Sequence, residues 1–139
     1  MFRDSADQVR LLQPAVLAFV GDAVFNLFIR ERLVRRKQAS SHQLHIDATR
    51  YVKAASQSRI AREMQNVFNE DEAFVFRRGR NAKSTTIPKN ANVQDYHYAT
   101  AFEAVLGYLY LTRQMERLDT FLEQAASIIE NDETENQHE

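Results

Sequence analysis

Apolar residues recur at helical spacing along almost the whole chain, and that pattern predicts an all-α fold. Residues 14–36 open with Pro14, whose fixed φ and missing N–H suit a first helical turn. They continue through Val16, Leu17, Phe19, Val20, Val24, Phe25, Leu27, Phe28 and Ile29. Apolar on nearly every side, this stretch reads as a central, buried helix. From about Ser41, the positions Leu44, Ala48, Tyr51 and Ala55, then Ile60, Met64, Val67 and Phe68, mark one long helix or two consecutive ones. Asn69, followed by Glu70, Asp71 and Glu72, has the form of an N-cap with acids in the first turn. Arg77, Arg78 and Gly79 close that short helix with the opposite charge, Gly79 serving as a left-handed cap. Residues 94–112 predict a further strongly apolar helix, and Leu118, Phe121, Leu122, Ala125, Ile128 and Ile129 stripe a final amphipathic one. The division expected is one domain over residues 1–130, then a disordered acidic tail over 131–139.

The stretch 79–92 breaks the scheme, offering only Ile87 as a large apolar side chain. A loop this long inside a small domain is either functional or disordered. It carries Arg80, Lys83 and Lys89, hydroxyl and amide side chains around them and no acid, a makeup suited to phosphate and ribose oxygens.

Composition sharpens the picture. With 139 residues there is room for one core, and 44% hydrophobic content is too apolar for a wholly disordered chain. Three glycines and two prolines are too few for a many-stranded barrel or sandwich. The absence of cysteine excludes disulfides, thiolate metal sites and a Cys nucleophile, and allows a reducing compartment. No signal-peptide core follows Met1, and the longest apolar runs are interrupted by Asp22 and Glu103, so neither export nor a membrane span is expected. No phosphate-binding glycine loop or dinucleotide fingerprint is present, so no organic cofactor is expected.

A formal net charge of −1 argues against a polyanionic partner only as an average. The last ten residues hold five acids and no Lys or Arg, leaving +4 over residues 1–129; residues 30–89 alone carry +8. Two clusters supply much of this: Arg30, Arg32, Arg35, Arg36 and Lys37, then Arg77, Arg78, Arg80, Lys83 and Lys89. A basic body is compatible with nucleic acid, and equally with solvated helix faces.

Two acids stand apart from the rest. Asp22 is the only ionisable side chain between Ala15 and Phe25, and Glu103 the only carboxylate between Ala99 and Leu111. An uncompensated charge in apolar surroundings is costly, so such an acid has a cationic partner, with Arg30 and Arg50 as candidates, or faces water, or holds a metal. Two of them on separate apolar helices of a basic body favour a carboxylate metal site, and hard oxygens without Cys favour Mg²⁺ or Mn²⁺ over zinc. Beside a polyanion-binding surface such an ion serves phosphodiester hydrolysis. His42 and His45 lack a third ligand at a supporting spacing and are expected to be ordinary surface or packing residues. His97 either contacts RNA or packs.

The stretch Leu17-Ala18-Phe19-Val20-Gly21-Asp22-Ala23-Val24-Phe25 resembles the signature of the ribonuclease III endonuclease domain. Thr100-Ala101-Phe102-Glu103-Ala104-Val105-Leu106-Gly107-Tyr108-Leu109-Tyr110 is similar to its second motif. The segment Arg77-Arg78-Gly79-Arg80-Asn81-Ala82-Lys83-Ser84, and the lack of a double-stranded-RNA-binding module, resemble the Mini-III branch of that family. Position by position, Asp22 and Glu103 match the two metal-binding catalytic acids. Three further acidic positions of the pattern hold Ala15, Ala18 and Thr100, departures typical of the Mini-III branch.

The resemblance implies a homodimer with one acidic site per subunit and a positive valley for an RNA duplex. Helix 14–36 and the helix after Ser41 are the candidates for the dimer face. It further implies Mg²⁺-dependent cleavage, with Mn²⁺ as a possible substitute, leaving 5′-phosphate and 3′-hydroxyl ends. The substrate implied is precursor large-subunit (23S) ribosomal RNA in the bacterial cytoplasm. Arg77, Arg78, Arg80, Lys83, Ser84 and Lys89 would grip the duplex. The competing expectations are a non-catalytic RNA-binding ribosome-assembly protein of the same fold and a helical protein–protein adaptor.

Overall fold

The computed structural model describes residues 5–83 and 87–138, with side chains through 132. All regular structure in these residues is helical: α1 (Ala6–Arg10), α2 (Pro14–Arg36), α3 (Ser41–Val52), α4 (Ala54–Met64), a 3₁₀ turn (Gln65–Val67), α5 (Glu70–Asn81), α6 (Val93–Leu111) and α7 (Met115–His138). Among them no helix is long and apolar enough to cross a membrane.

Local chemistry sets most boundaries. Pro14 occupies the first turn of α2, and Lys37, in extended conformation, ends it. Ser5, Ser40, Asn69 and Asn92 cap the helices that follow them, each accepting a backbone N–H three residues on. Asn69 and Glu72 form a reciprocal capping box. The apolar stripe after Ser41 belongs to two helices: the extended backbone of Lys53 separates α3 from α4, and Ser56 Oγ and Gln57 Nε2 then donate to the α3 carbonyls of Arg50 (2.6 Å) and Val52 (2.9 Å).

The centre of the molecule is the α2–α6 pair, with α4 and α5 laid against α6 and α3 against α2. Two glycines let the central helices touch. A Cβ on Gly21 would fall 1.7 Å from the Glu103 carbonyl oxygen, and one on Gly107 would fall 2.0 Å from that of Leu17. Around this crossing Leu17, Phe25, Ile29, Phe102 and Leu106 are removed from water, each burial contributing roughly 1.5–3 kcal/mol. Phe25 meets Phe102 edge to face at 5.3 Å.

Three sequence expectations need amending. Gly79 is not a left-handed cap: no glycine has positive φ, and α5 continues to Asn81. Gly79 is small because it lies against α6, where a Cβ would come 2.8 Å from Ala101 Cα. The helix over 14–36 is not buried all round, since Val16, Phe19, Leu27 and Val34 leave an apolar stripe exposed along one side. At the acidic end the α7 backbone is helical through His138, and Asp132 pairs with Arg59 of α4. Glu130, counted with that end, is built into the body. It accepts two hydrogen bonds from Arg32 (2.8 and 2.9 Å), one from Arg36 (2.9 Å) and one from the Tyr51 hydroxyl (2.8 Å).

The last amendment concerns charge. Arg32 also reaches Glu123 (2.8 Å), Arg35 pairs with Glu31 (2.9 Å), and Lys37 pairs with the buried Asp47. The first basic cluster is therefore largely matched by carboxylates of the same chain, which removes most of it as a polyanion-binding surface. Burial pushes the Glu130 carboxyl upward, but its hydrogen bonds from Arg32 and Tyr51 outweigh this and hold it below the usual range.

Candidate active site

The Gly21–Glu103 contact brings the two isolated acids together. Asp22 follows the contact glycine on α2, and Glu103 supplies the α6 carbonyl packed against that glycine, so their side chains converge at the same crossing. Asp22 is the acid that acts on the Glu103 carboxyl. The sequence left a cationic partner open for each, and the structure answers otherwise. The groups acting on Glu103 are Asp22 and Gln57, with neither Arg30 nor Arg50 among them.

The acids occupy unlike environments. Asp22 is exposed; Asn26, one turn further along α2, donates from Nδ2 to its Oδ1 (3.2 Å) and its carbonyl oxygen (2.9 Å). Glu103 is recessed behind it. Burial, reinforced by the hydrogen bond and negative charge of Asp22, pushes its carboxyl up to about 9, against a smaller opposing effect of the Gln57 amide. A strongly perturbed carboxyl beside a second one is a recognised mark of a reactive site.

The donor set can be tested against a divalent cation. Among the described residues no three His, Asp or Glu side chains gather, so the site offers two carboxylates and no imidazole. That suits a hard, largely hydrated ion such as Mg²⁺, which is commonly held by one or two carboxylates and keeps several waters. The crowding of two acids without a cationic side chain is what such an ion would relieve. Ala15 and Ala18 lie on α2 two turns and one turn before Asp22, and Thr100 one turn before Glu103 on α6, so they add no carboxylate.

The basic residues divide. Arg77 is exposed on α5, Arg80 is half-buried and reaches Asn81 (3.3 Å), and Lys83 and Lys89 are exposed in the connection to α6. Arg78 is engaged elsewhere: its Nη1 donates to the carbonyls of Arg10 and Leu12 (both 3.0 Å), and its guanidinium lies 5.8 Å from the Phe74 ring centre. It ties α5 to the end of α1 instead of joining the open group. Ser84 lies outside the described residues. His42 and His45 are exposed and line a groove with Arg30, Leu33, Val34 and Ala48, away from the acids. His97 is half-buried, its ring edge-on to Tyr96.

Sequence reasoning missed Asn26 and Gln57. Asn26 was findable as the polar residue one helical turn after Asp22. Gln57 carries a weaker signal, a polar residue among apolar stripe positions.

Residues 15–114 match the Ribonuclease III domain, and with the crossing glycines and paired acids in place, the chain belongs to that family of ribonucleases. Within it the chain groups with the Mini-ribonuclease 3 proteins. It is 47% identical to that of Thermoanaerobacter sp. (strain X514) over 119 residues, covering 86% of this chain and 84% of the relative. It is 44% identical to that of Clostridium tetani (strain Massachusetts / E88) over 123 residues, 88% and 82% of the two chains. The fold is shared with the crystal structure of a protein from Fusobacterium nucleatum at a TM-score of 0.78 and 28% identity, over 86% of this chain and 96% of that one.

Proposed function

We propose that the chain is a divalent-metal-dependent endonuclease of double-stranded RNA, with Asp22 and Glu103 as the catalytic and metal-holding acids. The observation that carries this reading is the convergence of the two carboxylates at the α2–α6 crossing with no cationic side chain between them. Bound there, Mg²⁺ (or Mn²⁺) would supply an activated water and stabilise charge on the leaving 3′-oxygen, giving 5′-phosphate and 3′-hydroxyl ends.

The chain's own residues do the rest. Asp22 presents its carboxylate at the open side of the site, where a phosphodiester can approach, and Asn26 fixes its rotamer. Glu103 is recessed on α6, where burial narrows the positions its oxygens can take before substrate arrives. Arg77, Arg80, Lys83 and Lys89 supply charge that suits the phosphates of an A-form duplex, and Ser84, next after Lys83 in the sequence, would add a hydroxyl for its 2′-hydroxyls.

The exposed stripe of Phe19, Leu27 and Val34 along α2 supports a homodimer formed across that face, giving one acidic site for each strand. Kinship with the Mini-ribonuclease 3 proteins supports maturation of precursor 23S ribosomal RNA in the cytoplasm as the setting.

The test is a cleavage assay on a long RNA duplex with Mg²⁺ or EDTA, for the wild type, Asp22→Asn and Glu103→Gln. Cutting should require both the metal and both acids. A variant that cuts at the wild-type rate would remove that acid from the chemistry, and a wild type that cuts no duplex would leave the fold as an RNA-binding one.

A further inference from the structure

Two amide–carboxylate pairs in the molecule share one helical spacing and differ in what surrounds them. On α3, Gln43 Nε2 donates to Oδ1 of Asp47 at 3.0 Å, and Lys37 pairs with the other oxygen of that carboxylate. On α2, Asn26 Nδ2 donates to Asp22 Oδ1 at 3.2 Å and to the Asp22 carbonyl oxygen at 2.9 Å. Here no Lys or Arg among the described residues forms an ion pair with the acid. The contrast extends beyond Asp47. Glu72 is matched by Arg117, Glu130 by Arg32 and Arg36, and Asp71 by Arg10. In a chain with 18 Lys and Arg, Asp22 is held by a neutral donor.

Asparagine is a poor choice, on helix propensity alone, for the middle of a 23-residue helix. One that merely settled into the helix would bond the carbonyl four residues back and go no further. Asn26 makes that bond and reaches the carboxylate as well.

We propose that Asn26 is the neutral anchor of the acidic site, a positioning residue that fixes one oxygen of Asp22 and leaves its charge uncompensated for a divalent cation. A lysine or arginine at this point would hold the carboxylate by a stronger bond, but would cancel the charge that attracts the ion. An alanine would keep the charge and release the rotamer. The amide orients without neutralising. The demand is stringent because Ala15, Ala18 and Thr100 add no carboxylate, so an exposed aspartate carries much of the donor set. Hydrogen-bond partners of metal ligands act this way generally, setting ligand orientation without touching the ion. The inference rests on the reading of Asp22 as metal-holding.

Mn²⁺ affinity of the full-length chain, read by electron paramagnetic resonance without substrate, tests the role. Asn26→Ala should weaken Mn²⁺ binding roughly 10-fold. Asn26→Lys should weaken it further, because an ammonium four residues after Asp22 pairs with the carboxylate. Alanine and lysine are both better helix formers than asparagine, so neither change should lower the urea midpoint appreciably. Gln43→Ala, which removes the matching amide from Asp47, should bind Mn²⁺ as the wild type does.

Wild-type Mn²⁺ affinity in Asn26→Ala, a loss in Asn26→Lys no larger than in Asn26→Ala, or an equal loss in Gln43→Ala overturns the assignment. Asp22→Asn tells this failure from that of the underlying reading. If Asp22→Asn binds Mn²⁺ unchanged, Asp22 holds no metal, and the role of Asn26 falls with that reading. If Asp22→Asn abolishes binding while both Asn26 variants bind as the wild type, only the role of Asn26 falls.

Discussion

The peptide carbonyl of Glu103 occupies the space that a side chain on Gly21 would need: a single added carbon there would sit 1.7 Å from the oxygen. The obstacle is backbone, so no rotamer change relieves it. Gly21→Ala must push α2 off α6, at a cost of about 3 kcal/mol or more. It should also separate Asp22 from Glu103. The expected result is a clear fall in denaturation midpoint together with loss of cleavage. A variant as stable and active as the wild type would contradict the crossing.

The pH dependence of the metal-free protein follows from Glu103. Its folded-state value of about 9 lies far above the ordinary 4.5, so the folded chain holds a proton that the unfolded chain releases. This stabilising contribution is complete below about 4.5 and is lost progressively as pH rises toward 9. Glu103→Gln keeps a neutral side chain at every pH. In EDTA it should be more stable than the wild type near the alkaline end, with a flatter urea-midpoint profile. Parallel profiles would refute the burial of this carboxyl.

Glu130 carries the opposite sign. Held below its usual range by Arg32 and Tyr51, its contribution is present above about 4.5 and lost as pH falls through its lowered value. The Arg32 and Glu130 side chains are 10% and 21% exposed, so removing Glu130 leaves a largely buried guanidinium with Glu123 alone. Glu130→Ala should cost roughly 3 kcal/mol by chemical denaturation. Its effect on cleavage at temperatures well below melting should be small, since the network lies away from the acids.

Phe19, 81% exposed on the apolar stripe of α2, tests the proposed dimer and the face it would use. Phe19→Glu should shift the sedimentation coefficient to that of a monomer while leaving the helical circular dichroism spectrum intact. A dimer that survives this change is built on another surface.

Replacing Arg80 and Lys83 with alanine should weaken duplex RNA binding and lower the slope of log affinity against log salt by roughly one for each phosphate no longer neutralised. Arg78→Ala should instead lower stability through α1 and Phe74, because its donors are already on the Arg10 and Leu12 carbonyls. Equal effects of the two changes on the salt slope would place Arg78 in the RNA interface after all.

The helices were legible because periodicity and caps are local signals: Pro14, Asn69 and the stripes around Phe102 and Phe121 meant in three dimensions what they meant in one. The acidic pair was legible because a carboxylate amid apolar residues is anomalous wherever it lies. What failed was information that depends on partners distant along the chain. Gly79 looks like a helix terminator until Ala101 is seen against it. The basic run from Arg30 to Lys37 looks open until Glu130 and Glu123 arrive from α7. Phe19 looks like core because composition cannot say which side of a helix its own chain will cover. Gln57 shows the same limit, for its orphaned oxygen and its Val52 acceptor exist only once α3 and α4 have assembled.

The carboxylates of α7 have a consequence for discrimination. An arginine already matched by a glutamate on its own chain must break that match before it can hold a phosphate, so Arg32 and Arg36 offer little to a passing polyanion. The folded chain thus screens one flank of α2 with built-in counterions and leaves attraction concentrated around the α5–α6 connection. Binding of the proposed duplex would be directional as a result: a rigid rod of phosphates would be drawn to one side of the molecule and meet little attraction on the other.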